Sequence, residues 1–401
     1  MNEQKTWVEV NSDNLIHNIS EFRKRVGESV KIAGVLKSNA YGHGLKEVAL
    51  VIKEKVDWIA VDSVCEALEL KRQGIDNEIL ILGYTLESNL TEVVKNGFHQ
   101  VVANFETLKA LEEICQKENT KAKVHLKIET GTSRQGIFLK DLQKYLELIK
   151  SSDFLELKGV STHFANIEDT TDPTFAMSQL EKYKEALKVV DAIGFENYIR
   201  HTASSAAAVL FDSTHFDMIR LGISLYGMWS SKETQVSASQ EKIGMELLPV
   251  LTWKTKIAHI KTLDSGACVS YGCTEKLTQK TKTAVLPIGY WDGYDRGLSS
   301  IGKVLVGGTL CRVLGRVCMN MIVIDVTQIK NVKLEDEVVL IGKQGSEVVS
   351  AETIASQINS INYEVTTRIN PLIERRIVEK VTKKLANSRH SIGIQLSVEN
   401  F

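Results

Sequence analysis

The sequence predicts an α/β protein, built as a (β/α)8 barrel followed by a second, mainly β C-terminal domain. From about residue 30 to 227, eight short apolar runs typical of strands alternate with amphipathic segments whose apolar residues recur every three or four positions. Such alternation is typical of a parallel sheet, and eight repeats favour a closed barrel. After about residue 240, strand-like runs follow one another closely and are separated by glycines, which indicates a β-rich domain.

The eight candidate strands have the number and spacing of a TIM-type barrel. They cover residues 31–37, 58–63, 78–84, 99–104, 123–130, 157–164, 198–204 and 218–227. An open doubly wound sheet shares this alternation, so periodicity alone does not separate the two folds. The first strand is not followed by a G-x-G-x-x-G turn, which counts against a dinucleotide-binding sheet.

The change of pattern along the chain predicts the domain boundaries. They are 12–235 for the barrel, 243–380 for the β-rich domain with residues 1–11 packing against it, and 381–401 for a tail without an assigned role. The polar segment 232–242 is interpreted as the linker. Within the second domain, 350–361 is the one pattern that indicates a helix.

Composition excludes several classes of function. The 401 residues carry a formal net charge of -1, so no general attraction to nucleic acid or to an anionic membrane is expected. The N-terminus lacks a signal-peptide pattern and no apolar run could span a bilayer, which predicts a cytoplasmic protein. The six cysteines are scattered, so reduced thiols are expected rather than a disulfide framework or a metal site.

Lys37 is the first candidate for chemistry. It ends the first predicted strand, in VLKSNAYGHG (35–44), and the carboxyl edge of barrel strands faces the active site. An amine that leaves an apolar strand is partly desolvated and therefore nucleophilic, which suits a Schiff base. The alternative is a lysine that only extends its amine into solvent from the barrel end.

The residues around Lys37 point to a family. The pattern K-x-N-A-Y-G-H-G resembles the cofactor-lysine motif of the alanine racemases, the two-domain branch of fold-type III pyridoxal-phosphate enzymes. The resemblance extends over about residues 5–378. It includes ETGTSRQG (129–136), HFA (163–165), HTASSAA (201–207), IRLGISLYG (219–227), VSYG (269–272), PIGYWDGYDR (287–296), GRVCMNM (315–321) and INYE (361–364).

The resemblance implies an isomerase that uses pyridoxal 5'-phosphate to interconvert L-alanine and D-alanine, supplying D-alanine for peptidoglycan. The residues that it implies for cofactor binding are Lys37, Tyr41, Arg134, His163, His201, Ser205, Arg220, Gly222, Ile223 and Tyr363. Tyr41, Ser205, Gly222, Ile223 and Tyr363 would hold the phosphate, and Arg220 would face the pyridine nitrogen. Taken singly, Ser205 could instead cap a short helix and Tyr363 could be a core aromatic.

Racemisation removes a proton from one face of the α-carbon and delivers one to the other, which two bases do most simply. The resemblance implies that Lys37 serves one face and Tyr271 the other, with His163 a candidate to activate Tyr271. Arg134 and the backbone N–H of Met319 would bind the carboxylate of the amino-acid substrate. Because Tyr271 lies in the second domain, the resemblance also implies a head-to-tail homodimer with shared active sites.

The chain departs from the family pattern at Ser204, Glu129, Asn320 and Trp291, and the last two flank the expected substrate entrance. In the resembling family, the lysine that corresponds to Lys127 is often carbamylated. The resemblance therefore implies that a carbamate on Lys127 would orient Arg134. Glu129 offers an alternative anion.

Other functions remain open. They are a racemase for serine or for a broad set of amino acids, a fold-type III decarboxylase or aldolase, and a non-catalytic carrier of the cofactor. Arg220 and Tyr271 argue against the decarboxylase, which usually has an acidic residue and a cysteine in those roles. The β-rich domain argues against the single-barrel carrier.

Overall fold

A computed structural model describes residues 4–379, and the predicted tail 381–401 lies outside the described residues. The described part begins with strand β1 (Thr6–Asn11), which belongs to the second domain. The barrel follows. Its strands are β2 (Lys31–Val35), β3 (Trp58–Val61), β4 (Glu78–Ile81), β5 (His99–Val102), β6 (Ala122–Lys127), β7 (Leu155–Ser161), β8 (Ile199–His201) and β9 (Met218–Leu221).

Helices separate these strands, as the amphipathic patterns predicted. They are α1 (Ser12–Val26), α2 (Lys37–Tyr41), α3 (Leu45–Ile52), α4 (Val64–Arg72), α5 (Leu90–Lys95), α6 (Phe105–Glu118), α7 (Leu139–Ser151), α8 (Thr174–Ile193), α9 (Ser205–Leu210) and α10 (Lys232–Gln240). Side chains that accept hydrogen bonds from the first turn mark several starts. Asn11 caps α1, Asn104 caps α6, and Ser63 with Glu66 forms a capping box on α4.

All eight barrel strands are parallel, in the spatial order β8-β7-β6-β5-β4-β3-β2-β9. The two ends of this order meet. The backbone N–H of Asp217 donates to the Arg200 carbonyl (3.0 Å), and that of Arg220 donates to the Ala203 carbonyl (2.9 Å). The predicted (β/α)8 barrel is therefore confirmed, and the open doubly wound sheet is excluded.

The second domain is mainly β, also as predicted. Its elements are β10 (Leu251–Lys256), β11 (His259–Leu263), β12 (Cys268–Val269), β13 (Glu275–Lys276), β14 (Thr281–Leu286), β15 (Lys303–Val306), β16 (Thr309–Leu314), β17 (Ile322–Asp325), β18 (Glu337–Gln344), β19 (Glu347–Val349), α11 (Ala351–Gln357), α12 (Asn362–Thr367) and β20 (Glu374–Val378). The main sheet runs β11-β14-β17-β16-β15-β18-β10-β1-β20; β19 pairs with β18, and β12 with β13.

The start of the described chain is part of this second sheet. Strand β1 pairs antiparallel with β10 and parallel with β20, so three distant segments form one edge of the sheet. The chain thus passes from the second domain into the barrel and back again, which ties the two domains together.

Two short helices differ from the sequence-based expectations. The segment interpreted as a linker forms α10, whose start is capped because the side chain of Ser231 accepts from the Thr234 N–H. Helix α12 follows α11 where one helix was expected. Both helices have fewer than three turns, so their apolar periodicity is too short to recognise.

Apolar side chains fill part of the barrel interior. These side chains alternate along their strands, as expected for positions that face inward. The cluster consists of Ala33, Val35, Trp58, Ala60, Leu80, Val101 and Met218. Between residues 4 and 379, the structure contains no helix with the length and apolar character needed to cross a membrane.

Candidate active site

A single turn after the first barrel strand presents Lys37 at the carboxyl edge of the barrel. This turn, α2, is wound left-handed, and the four residues that follow Lys37 have φ between 53° and 55°. Residues other than glycine adopt this conformation at a cost of roughly 1–2 kcal/mol each, so the surroundings must hold it. Asn39 helps to do so, because its Oδ1 accepts a hydrogen bond of 2.8 Å from the Leu45 N–H.

The second domain of the same chain supports this turn. Arg375 on β20 donates to the carbonyl of Gly42 from Nε (3.2 Å) and from Nη2 (3.0 Å). Gly42 packs so closely on α12 that a Cβ atom would lie 2.0 Å from the Thr366 carbonyl oxygen. Only glycine permits this contact. The position of Lys37 therefore depends on both domains.

Two adjoining cavities open beside Lys37, with volumes of about 520 Å³ and about 440 Å³. Lys37, Leu82, His163 and Arg220 line both of them. Of the predicted site residues, the larger cavity adds Lys127, Arg134 and His201, and the smaller adds Tyr41, Ser205, Gly222, Ile223 and Tyr363. All the predicted site residues except Tyr271 and Met319 thus meet around Lys37.

Arg220, on β9, is buried and held by neutral acceptors. Its Nη1 donates to Nδ1 and to the carbonyl of His201, each at 2.9 Å. Its Nη2 donates to the carbonyls of Thr162 (2.8 Å) and Thr202 (3.0 Å). Burial lowers the pKa of Arg220 to about 10, so the guanidinium remains cationic at neutral pH. The alternative role for an arginine at the end of a barrel is a structural salt bridge. These four hydrogen bonds go to an imidazole and to backbone carbonyls, so they do not form one.

The hydroxyl groups of Tyr41 and Ser205 and the backbone of Gly222 form a recess beside Arg220. The Oγ of Ser205 accepts from the N–H groups of Gly222 (3.1 Å) and Ser224 (3.4 Å). A Cβ atom on Gly222 would lie 2.7 Å from the Tyr41 hydroxyl, so a side chain would fill this recess. Burial raises the pKa of Tyr41 to about 12, which keeps its hydroxyl protonated and able to donate. Donors around an open recess suit an anion.

The two predicted cofactor histidines are neutral. Burial is the main cause that lowers the pKa of His163 to about 3, and the cations Arg220, Arg134, Lys127 and Lys37 lower it further. The pKa of His201 is also far below its usual range, first because of burial and then because of Arg220. Neither ring is therefore expected to carry charge at physiological pH.

Strand β6 and the loop after it bring Lys127 and Arg134 to the larger cavity, with Glu129 between them in the chain. Burial, with Arg134, Arg220 and Lys37 nearby, lowers the pKa of Lys127 to about 8. The carboxylate of Glu129 is used by its own loop, since Oε1 accepts from the N–H groups of Gly131 (2.6 Å) and Ser133 (3.0 Å). This departure from the family pattern therefore supports the loop that carries Arg134.

Tyr271 and Met319 lie elsewhere in the chain. They line a cavity of about 570 Å³ together with Arg296, Arg316 and Asn320, and all of its lining residues fall between positions 271 and 321. The Tyr271 side chain is 72% exposed and Met319 is 56% exposed. Within one chain, the structure does not bring the two predicted bases together.

The remaining departures from the family pattern are also near these cavities. Ser204 lines the smaller cavity, where it precedes α9 without capping it through its side chain. Asn320 shares the cavity of Tyr271, and Trp291 is 60% exposed in the same domain.

The sequence did not reveal several residues that shape the site. Thr162 and Thr202 hold Arg220 through backbone carbonyls, which every residue type possesses, so no sequence signal marks them. Arg375 acts through a contact between domains. Arg316 lies beside the Tyr271 loop, because a Cβ atom on Gly272 would be 3.0 Å from its Nη1. The arginine within the GRVCMNM motif (315–321) was the one visible signal.

Comparison with known proteins covers both domains. Residues 10–229 match the family model of the alanine racemase N-terminal domain, and residues 250–377 match that of its C-terminal domain. Alanine racemase from Leptospira interrogans is 36% identical over 381 residues, covering 93% of this chain and 96% of that protein. Alanine racemase 2 from Caldanaerobacter subterraneus is 39% identical over 372 residues, covering 92% and 94%.

A solved structure shows the same fold. The alanine racemase of Clostridium difficile superposes with a TM-score of 0.88 at 35% identity, covering 95% of this chain and 97% of that one. The barrel, the site and these relatives together define an amino-acid racemase of the two-domain type, and thus an isomerase. The match spans both domains without a large gap. The chain belongs to the alanine racemase family.

Proposed function

We propose that this protein uses pyridoxal 5'-phosphate to interconvert L-alanine and D-alanine by a two-base mechanism. One observation carries the proposal: a lysine amine, a cationic arginine held by neutral acceptors, and a recess lined with donors share the space around Lys37. The names of the relatives support alanine as the substrate. In this proposal the enzyme supplies D-alanine for peptidoglycan from the cytoplasm.

The side chains present fit the cofactor. The recess formed by Tyr41, Ser205 and Gly222, which a Cβ atom would fill, suits the phosphate together with Ile223 and Tyr363. Lys37 would hold the cofactor covalently and Arg220 would meet its ring nitrogen. When bound, pyridoxal phosphate supplies an electron sink that stabilises a carbanion at the α-carbon of the substrate.

Arg220 then directs the outcome. A guanidinium only donates hydrogen bonds, so it opposes protonation of an acceptor placed against it. Arg220 would therefore make the bound cofactor a weaker electron acceptor, and it would favour return of the proton to the α-carbon over side reactions such as transamination.

Two bases on opposite faces would move the proton. The Nζ of Lys37 would take it or deliver it on one face, and the phenol oxygen of Tyr271 of the partner subunit would act on the other. Arg316 lies next to the Tyr271 loop. Arg134 and the backbone N–H of Met319 would orient the substrate carboxylate. A homodimer with shared sites follows, because one chain keeps its two bases apart.

The alternative functions predict different products. Purified protein incubated with L-alanine in deuterium oxide should give both D- and L-alanine labelled at the α-carbon. A decarboxylase would release carbon dioxide, an aldolase would cleave a hydroxylated amino acid but not alanine, and a carrier would leave alanine unlabelled. Any of these three results would refute the proposed reaction.

Alanine should be the preferred substrate, because Tyr363, which lines the smaller cavity, would crowd the space for the α-carbon substituent. One excess methylene in a tight pocket costs roughly 1–3 kcal/mol, so serine should be poorer than alanine and lysine poorer still. The measurement is kcat/KM for racemisation of alanine, serine, lysine and arginine. Tyr363→Ala should raise the serine-to-alanine ratio, whereas Tyr84→Ala, a change at an exposed residue of the larger cavity, should not. A higher kcat/KM for lysine than for alanine would overturn this assignment.

Lys127 is expected to react with carbon dioxide to form a carbamate. The reaction needs a neutral amine, which a pKa of about 8 supplies. The resulting anion would be stabilised by Arg134, Arg220 and Lys37, and it would orient Arg134 through charge-assisted hydrogen bonds. The measurement is a carbon-13 spectrum of holoenzyme equilibrated with labelled bicarbonate.

A carbamate signal should appear in the unmodified enzyme and in Lys123→Arg, a change on the same strand, and vanish in Lys127→Arg. The signal should fade as the pH falls below the pKa of the amine, because protonation removes the reactive form. Its absence from the unmodified enzyme at pH 8 and above would end this idea and leave the racemase proposal standing.

A further inference from the structure

A row of four hydrogen bonds crosses the barrel interior and ends on Arg220. The Oε2 of Glu78 lies 2.9 Å from Nε2 of His99, and Nδ1 of His99 lies 3.0 Å from Nε2 of His125. The Nδ1 of His125 lies 2.9 Å from Nε2 of His201, whose Nδ1 is 2.9 Å from Nη1 of Arg220. The five residues belong to β4, β5, β6, β8 and β9. Glu78 begins its strand and His201 ends its own, so the row rises from the amino end of the barrel to the active site.

The barrel is built to hold these rings. His99, His125 and His201 are each at most 3% exposed. Trp58 meets the ring of His99 edge-on at 4.4 Å between centroids. On β7, a Cβ atom at Gly159 would lie 2.2 Å from Nδ1 of His125, so no other residue leaves space for that ring. The packing of the barrel interior thus leaves space for the imidazole rings and contacts them closely.

The chemistry of the two ends fixes the direction of every hydrogen bond. A guanidinium only donates, so Nδ1 of His201 must accept, and its proton must be on Nε2. That proton is donated to Nδ1 of His125, which in turn donates from Nε2 to Nδ1 of His99. His99 finally donates from Nε2 to the carboxylate of Glu78, which only accepts when ionised. One arrangement of protons satisfies the whole row.

This proton arrangement requires all three imidazole rings to be neutral, and their burial agrees with that requirement. Burial is the largest cause that lowers the pKa of His99, to about 3, and it also lowers those of His125 and His201 far below the usual range. All three rings are then neutral. An extra proton on any ring would reverse the bonds between it and Arg220, and two N–H groups would face each other at the arginine.

A metal site is the other use of three histidines and a carboxylate, and the geometry does not support it. The rings point at one another in sequence instead of converging on one point. Among residues 4–379, no group of three or more histidine, cysteine, aspartate or glutamate side chains is arranged to hold a metal ion.

We propose that Glu78, His99 and His125 are positioning residues for Arg220. From the far end of the row they favour the same tautomer of His201 that the guanidinium requires, so an acceptor faces Arg220 and keeps its side chain directed into the active site. This inference concerns how the proposed reaction is tuned, and it rests on the proposed function. It also means that a residue at the opposite end of the barrel influences the chemistry beside Lys37.

A neutron crystal structure of the holoenzyme tests the proton arrangement directly. Deuterium should be found on Nε2 and not on Nδ1 in all three rings. Deuterium on Nδ1 of any of them would overturn the proposal. This readout does not depend on catalysis. A protein that failed to racemise alanine would refute the proposed function, and the neutron structure would still test the proton arrangement of the three histidines.

Three variants of equal charge test the role of Glu78. Glu78→Met removes the terminal acceptor, Glu78→Gln keeps an acceptor oxygen, and Glu156→Met removes a carboxylate from the neighbouring part of the same barrel end. Glu78→Met should place deuterium on Nδ1 of at least one ring and lower kcat for alanine about threefold to tenfold with KM unchanged, as expected for one lost hydrogen bond. Glu78→Gln and Glu156→Met should keep the original tautomers and kcat.

Unchanged tautomers or unchanged kcat in Glu78→Met would overturn the proposal. So would an equal loss of kcat in Glu156→Met, because charge at the barrel end would then explain the effect. The side chain of Glu78 is half-exposed, so Glu78→Met removes the acceptors of His99 and Lys123 and leaves the apolar core of the barrel in place.

Discussion

Replacing Lys37 by alanine should abolish racemisation of both L-alanine and D-alanine, a loss of roughly a thousandfold or more, as expected when a base that contacts the reacting atoms is removed. The same change should remove the covalent attachment of the cofactor. The physical reason is that Lys37, alone among the lysines of residues 4–379, follows the first barrel strand and lines both cavities. Initial rates in each direction and the visible absorption of the purified protein are the measurements.

Borohydride reduction makes this prediction specific. It should fix the cofactor on the peptide that contains Lys37, and mass spectrometry should identify it there. Lys46→Ala, an exposed change on α3 close to the same turn, should keep both absorption and activity. A label on Lys127, the other lysine of the larger cavity, would show that the central assignment is wrong.

Mixing two inactive variants should restore activity. Lys37→Ala and Tyr271→Phe each remove one base, and in a head-to-tail dimer of the two variants one site has both bases intact. Random exchange of subunits at equal concentrations makes half of the dimers mixed, so recovery should approach about a quarter of the normal activity. The reason is the separation seen in the structure: within one chain, Tyr271 and Lys37 line different cavities.

Tyr271→Phe alone should impair proton transfer on only one face of the substrate α-carbon. It should nearly abolish exchange of the α-proton of L-alanine with solvent and leave part of the exchange from D-alanine, which Lys37 handles. Tyr290→Phe, a change in the same cavity as Tyr271, is the matched control. This variant should exchange the α-protons of both L-alanine and D-alanine with solvent. If subunits are proven to exchange and activity does not return, the site is not shared.

The sequence contained enough information to predict the barrel because its strands are short, apolar and regularly spaced. Each observed strand lies within or overlaps its predicted segment, and differences fall at the ends, where side chains leave the core. The position of Lys37 could be anticipated for the same reason, since residues that follow an apolar strand of a barrel lie at its carboxyl edge.

Other parts of the site could not be predicted. The left-handed turn after Lys37 contains serine, asparagine, alanine and tyrosine, none of which signals this conformation as glycine would. The acceptors of Arg220 are mostly backbone carbonyls, which leave no trace in residue identity. The row from Glu78 to Arg220 joins five strands, and its register depends on how the barrel closes.

The contact of Gly42 with Thr366 and Arg375 has a consequence for how such proteins can be divided. The barrel cannot be treated as an independent module, because the turn that carries Lys37 is completed by α12 and β20 of the second domain. A barrel truncated before residue 243 would keep its hydrophobic core and lose the groups that hold the lysine in register. Recombination that exchanged β-rich domains between relatives would have to preserve this contact as well as Tyr271, the base that we propose the domain provides to the partner subunit.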